Sequence, residues 1–203
     1  MRTEVIAYRA GAREAALDDA ALTSKLGEAR LRLAPPFAPE RADLVARVAE
    51  TLLGPRRSAA SGPAAHFAFW TRRAALAKLA AGFAARVPVH ALARPRGLVF
   101  HLPPQNVETV VLYSWALSYL AGNANIVRLP REISAGMRAI VDLFLERLEA
   151  LGDDSQLFVH YPSQGDLGAK ISALSNSLSI SSASIARIQS CAAASAAKFF
   201  WAA

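Results

Sequence analysis

Residues 97–130 read GLVFHLPPQNVETVVLYSWALSYLAGNANIVRLP, and their rhythm decides the fold. Leu98, Val99, Phe100, His101 and Leu102 form a short run that Gly97 opens and Pro103-Pro104 closes. A brief, mostly apolar run between turn residues is what a strand buried on both faces requires, as in a parallel sheet. Residues 107–121 follow as a helix that is apolar nearly all round and therefore buried. Gly122 ends that helix, residues 125–129 form the next strand, and Pro130 stops it.

Working downstream, Ser134 is placed to cap a long amphipathic helix. Met137, Ile140, Val141, Phe144, Leu148 and Leu151 share one face of it, and Gly152 ends it. Residues 156–161 predict a third strand. A helix starts at Ser163 or Gly165 and runs to about Leu174. Residues 178–180 predict a fourth strand, with a weak helix from Ser184. Strands and helices alternating at this spacing argue for βαβ crossovers and an α/β fold with an open, mostly parallel, Rossmann-like sheet. Ligands of such sheets bind beyond the carboxyl ends of the strands, here residues 103–106, 129–132, 161–164 and 181–184.

Upstream, residues 1–90 read as mainly helical, apart from a short strand at 3–8. Residues 13–32 are rich in Ala and Leu, with Gly27 weakening any single long helix there. Pro35-Pro36 ends that stretch, and Pro39 suits the first position of a new helix because its missing N–H is not needed there. Leu44, Val45, Val48 and Leu52 fall on one face of this helix, and Gly54 stops it. Residues 54–63 read as a loop. A helix over 64–86 follows, carrying Phe67, Trp70, Leu76, Leu79 and Phe83. The organisation expected is a helical region at 1–90, a cofactor-binding βαβ region at 91–190 and a low-complexity tail at 191–203.

Composition narrows the function classes. The chain has 203 residues, 53% hydrophobic and 19% charged, enough to bury a core. No uninterrupted apolar run approaches the roughly 18–20 residues of a membrane span. Met1-Arg2-Thr3-Glu4 carries an acid and no apolar signal core, so a cytoplasmic location is expected. A single cysteine, Cys191, excludes an internal disulfide framework and Cys-based zinc cages. His66, His90, His101 and His160 show no metal-ligand spacing, so no metal is expected. The net charge of +7 is spread mostly over arginines, with no stripe of interleaved basic and aromatic residues. Nucleic acid is therefore disfavoured as a partner.

No Gly-x-Gly-x-x-Gly follows any of the expected strands, and no Walker loop is present. What is present is Pro95-x-Gly97, then His101-Leu102-Pro103-x-x-Asn106, then Ala121-Gly122-Asn123-Ala124-Asn125-Ile126-Val127-Arg128-Leu129-Pro130. This combination resembles the aldehyde dehydrogenase superfamily, and more closely the bacterial acyl-CoA reductases of the bioluminescence type. Phe67-Ala68-Phe69-Trp70-Thr71-Arg72-Arg73-Ala74, Phe158-Val159-His160-Tyr161 and Ser172-Ala173-Leu174-Ser175 resemble further family segments. The likeness covers residues 64–190.

The resemblance implies an NADPH-dependent enzyme that reduces a fatty acyl thioester, from acyl-CoA or an acyl-protein, to an aldehyde through a cysteine thioester. Asn106 matches the asparagine whose amide helps form an oxyanion hole, where an N–H stabilises developing negative charge. It also suits a helix N-cap. Arg128 matches a lysine that contacts the adenosine ribose, and an arginine there suits a ribose 2′-phosphate. Arg131, Glu132 and Ser182 are further cofactor-binding candidates, Glu132 toward a ribose hydroxyl. Gly122 and Asn123 are expected to serve the backbone, and His101 to be a hydrogen-bonded core residue rather than a base. Phe67 and Trp70 are expected to pack.

Three departures qualify the likeness. The family's glycine-rich turn after the fourth strand is replaced by Ile180-Ser181-Ser182-Ala183-Ser184-Ile185, whose Cβ atoms obstruct close backbone approach to a pyrophosphate. The family's nucleophilic cysteine lies in a later catalytic domain, and Cys191 does not match its motif. The chain ends at Phe199-Phe200-Trp201-Ala202-Ala203, which is expected of the first part of a longer enzyme. Taken alone it is expected to be inactive. The competing expectation is a non-catalytic nucleotide-binding or docking remnant, with a partner chain covering the open sheet and the aromatic tail.

Overall fold

The computed structural model describes residues 5–8, 14–54, 62–102, 108–130, 132–162, 166–175 and 177–180. Among them the fold is α/β. The strands are β1 (Val5–Tyr8), β2 (Glu14–Leu17), β3 (Leu98–Leu102), β4 (Ala124–Arg128), β5 (Gln156–His160) and β6 (Ser177–Ile180). The helices are α1 (Asp19–Ala29), α2 (Pro39–Leu53), α3 (Gly62–Trp70), α4 (Arg73–Ala84), α5 (Glu108–Leu120), α6 (Ala135–Leu151) and α7 (Leu167–Leu174).

The strands form one open mixed sheet in the order β2-β1-β5-β4-β3-β6. β5, β4, β3 and β6 are mutually parallel, whereas β1 runs antiparallel to both β5 and β2. The first two crossovers, through α5 and α6, step from β3 to β4 to β5. The third, through α7, steps back across the sheet to β6 on the far side of β3. Crossovers of one hand that reverse direction must place their helices on opposite faces, and they do. α2, α3, α5 and α6 bury one face around Trp115, Phe67, Phe144 and Phe158. α1 and α7 bury the other against Leu98, Phe100, Ile126 and Val159.

Local sequence explains most element ends. Ser134 accepts a hydrogen bond from Met137 N–H at 3.2 Å and starts α6, and Gly152 ends it with a left-handed φ of 63°. Pro39 opens α2. Two elements differ from the sequence expectation. Residues 14–17 pair with β1 instead of extending a helix, because Asp18 accepts from Ala21 N–H at 2.7 Å and starts α1 only at Asp19. The helix expected over 64–86 is two helices. The break falls at Thr71-Arg72, where the Thr71 hydroxyl donates back to the Phe67 carbonyl at 2.8 Å and Arg72 is extended. The loop expected at 54–63 and the helix expected from Ser184 fall largely or wholly outside the described residues.

Candidate functional site

The order in which strands are added reverses beside β3, where the parallel strand β6 joins it with Leu102 in register with Ile180. Ligands of open α/β sheets bind in the crevice at such a point. In the sequence Asn106 follows Leu102 by four positions and Ser182 follows Ile180 by two. Asn106, Ser182, Arg131 and Cys191 themselves lie outside the described residues.

The described part of this edge is built on β4 and β5. Arg128 ends β4 half-buried, in register with Val159. Its Nη2 donates to the Tyr161 carbonyl at 3.2 Å, and its guanidinium carbon lies 4.7 Å from the Tyr161 ring centroid. A guanidinium held by a carbonyl and an aromatic face has lost most of its rotamer freedom, so less entropy is left to lose when an anion meets it. Leu129 N–H donates to the Val159 carbonyl at 2.7 Å, and His160 Nδ1–H donates to the Leu129 carbonyl at 3.2 Å. These bonds hold the chain just past β4 against β5. Glu132 follows, exposed.

Tyr161 is 3% exposed, and its hydroxyl has no hydrogen-bond partner among the described residues. It lies against Gly168, where an added Cβ would sit 3.5 Å from the phenol oxygen. Burial pushes this phenol upward from its ordinary value, so it stays protonated at neutral pH. The sequence offers residues 156–161 as a strand and 158–161 as a family-like segment, but no role for the Tyr161 side chain. The Arg128–Tyr161 contact joins positions on neighbouring parallel strands, and no local spacing signals it.

The Gly122–Arg128 run divides between the two ends of β4. At the amino end, Asn123 Oδ1 accepts from Arg96 N–H at 2.7 Å and its Nδ2 donates to Ser118 Oγ at 3.1 Å. The Asn123 carbonyl accepts from Arg41, Asn125 and Gln156 side chains. Gly122 has φ +90°, and its carbonyl accepts from Ala34 N–H at 3.0 Å. Gly122 and Asn123 thus serve the backbone. Arg41, Asn125, Gln156 and Trp115, whose Nε1–H donates to Gln156 Oε1 at 2.9 Å, were not singled out for this network in the sequence. Phe67 packs edge-on against Tyr113 and Phe144.

His101 is 2% exposed. Its Nε2 is 2.8 Å from Asn125 Oδ1, which can only accept, so Nε2 carries the proton and Nδ1 accepts from Ser114 Oγ at 2.9 Å. Burial, opposed by the Asn125 hydrogen bond, lowers its pKa from 6.5 to about 4. The unfolded chain therefore binds more protons between these two values. The stabilisation is complete above about pH 6.5 and is lost as pH falls toward about 4, by on the order of 3 kcal/mol. Urea midpoints are expected to drop between pH 7 and pH 5 in the wild type and to drop less in His101→Gln. An equal drop in both would assign the pH dependence elsewhere.

Among the described residues no three His, Cys, Asp or Glu side chains come together to hold a metal ion, and no helix is long and apolar enough to cross a membrane. Compared with protein-family models and with curated proteins, the chain matches none.

Proposed function

We propose that this chain forms the nucleotide-binding layer of an NADPH-dependent acyl-CoA reductase of the aldehyde dehydrogenase superfamily. The observation that carries this is the parallel order β5-β4-β3-β6, with its reversal beside β3. Numbered from β3, it runs 3-2-1-4, the first four strands of a Rossmann-like dinucleotide fold. The motif pieces fall where that fold would use them, with Asn106 after the first of these strands, Arg128 at the end of the second and Ser182 after the fourth.

The residues present fit an anionic nucleotide. Arg128 is a positioned, half-buried guanidinium at a carboxyl strand end, and a fork of N–H donors matches a ribose 2′-phosphate. Glu132 would meet a ribose hydroxyl, and Arg131 and Ser182 would add phosphate donors. Bound NADPH supplies the hydride that turns an acyl thioester into an aldehyde and a free thiol. Asn106 would donate its amide N–H to the thioester oxygen as negative charge develops there. The acyl-accepting cysteine of that chemistry has no counterpart in Cys191, so nucleotide binding, without turnover, is the activity assigned to these residues.

The test is a titration of the full chain with NADPH and with NADH, read by nicotinamide fluorescence. Saturable NADPH binding is expected. Arg128→Gln is expected to weaken it by about tenfold to a hundredfold, as for loss of a charge-assisted hydrogen bond, and to change NADH binding little. Absence of saturable NADPH binding to the wild type overturns the proposal.

A further inference from the structure

Residues 51–107 contain eight lysines and arginines and no Asp or Glu, against a net +7 for the whole chain. The positive charge is therefore concentrated in this stretch. Arg73 is held by α2, with Nη1 2.8 Å from Asp43 and Nη2 3.2 Å from Glu50. Arg86 and Arg94 are exposed and have no ion-pair partner among the described residues. Both lie in the connector that leads from α4 to β3. Between them Ala91 N–H donates to the Pro88 carbonyl at 2.8 Å, closing a β-turn with Val89 and His90 at its corner. Val89 is 96% exposed and Leu92 74% exposed. Single exposed apolar residues are ordinary, but one at the turn corner and one just past the turn, between two cations with no ion-pair partner among the described residues, are a combined feature.

We propose that this connector docks the chain on an anionic lipid surface. Arg86 and Arg94 would meet lipid phosphates and carboxylates while Val89 and Leu92 enter the headgroup–acyl boundary. The four side chains belong together, because nine residues span at most roughly 30 Å even when extended, and the turn shortens that. Residues 51–107 themselves carry no acid that an anionic bilayer would repel. Exposed Val89 and Leu92 add nothing to tracking a nucleic-acid backbone. The connector has no Phe, Tyr or Trp on which bases could stack, so lipid is favoured over nucleic acid.

The full chain is to be sedimented with phosphatidylcholine vesicles with and without phosphatidylserine, at low and high salt. Partition is expected with phosphatidylserine, weakening with salt. Arg86→Glu with Arg94→Glu is expected to weaken it by about tenfold or more. Val89→Ser with Leu92→Ser is expected to weaken it by about tenfold, with melting curves of both variants unchanged. Lack of preference for phosphatidylserine, or variants that partition like the wild type, overturns the proposal. Two other results also overturn it. One is tighter binding to duplex DNA that ignores Val89 and Leu92. The other is lipid-independent self-association that Val89→Ser with Leu92→Ser abolishes.

Discussion

Gly122→Ala is expected to destabilise the protein by about 3–5 kcal/mol, a large share of the roughly 5–15 kcal/mol that holds a typical domain together. Three effects combine. A φ of +90° lies where an L side chain meets backbone resistance, about 1–2 kcal/mol. The added Cβ would overlap the Ala34 carbonyl oxygen and lie 2.9 Å from its carbon. That obstacle is backbone and cannot swing aside as a side-chain tip could, so relief requires a shift of the chain, about 1–3 kcal/mol. The shift strains the hydrogen bonds from Ala34 N–H to the Gly122 carbonyl and from Phe37 N–H to the Leu120 carbonyl, about 1 kcal/mol more. Gly152→Ala is the control. Gly152 also has positive φ, at 63°, but an added Cβ there meets nothing within 4 Å, so only the backbone cost of about 1 kcal/mol applies. Urea denaturation of both variants decides the matter. Equal losses would mean that the close approach of residues 34 and 122 contributes nothing.

That approach also shows which features could be read in advance. β3 was legible because five residues bounded by Gly97 and Pro103 leave room for one strand and no helix. α6 was legible because a capping serine, one apolar face and a terminal glycine agree over five turns. β2 was not, because Glu14-Ala15-Ala16-Leu17 is helix-forming in composition. Its extended form comes from pairing with β1, a tertiary effect. The break between α3 and α4 was hidden for a related reason. The apolar period runs through it, and a hydroxyl turned back on its own helix leaves no pattern.

The same division holds at the candidate site. Arg128 was singled out through the family resemblance, and Gly122 from the need for a tight turn. Tyr161, which backs Arg128, and Gly168, which lies against Tyr161, could not. Their relation depends on β4 and β5 lying side by side and on α7 covering the opposite face from α5 and α6. His101 could be read as a core residue because a strand apolar on both faces offers a histidine only hydrogen-bond partners. Which partners it takes, Ser114 and Asn125, depended on packing.

Arg41→Met is expected to cost about 3 kcal/mol, in the range for removing one member of a buried ion pair. Arg41 is 5% exposed. Its Nη1 donates to the Asn123 carbonyl at 2.8 Å and the Tyr119 carbonyl at 3.2 Å, its Nη2 to the Arg32 carbonyl and Ser155 Oγ, each at 3.1 Å, and its Nε lies 3.7 Å from Asp153. The Asn123 and Tyr119 carbonyls keep other donors when Arg41 is removed, from Asn125 and Gln156 and from Gly122. The main loss is therefore the positive charge beside Asp153. That carboxylate retains the Tyr119 hydroxyl at 3.1 Å, a phenol kept protonated first by burial and then by Asp153 itself. Arg41→Met combined with Asp153→Asn should recover part of the loss, a coupling of about 1–3 kcal/mol in a double-mutant cycle. Strict additivity would mean that the pair does not interact. Arg41 secures the amino end of β4, and Arg128 stands at the other end, five residues or roughly 16 Å away along the strand. Below its lowered melting temperature, Arg41→Met should bind NADPH as the wild type does, whereas Arg128→Gln should bind it weakly and melt nearer to the wild type. If Arg41→Met instead weakens NADPH binding as much as Arg128→Gln does, the two ends of β4 are not separable, and the division between a fold-holding end and a ligand-facing end fails.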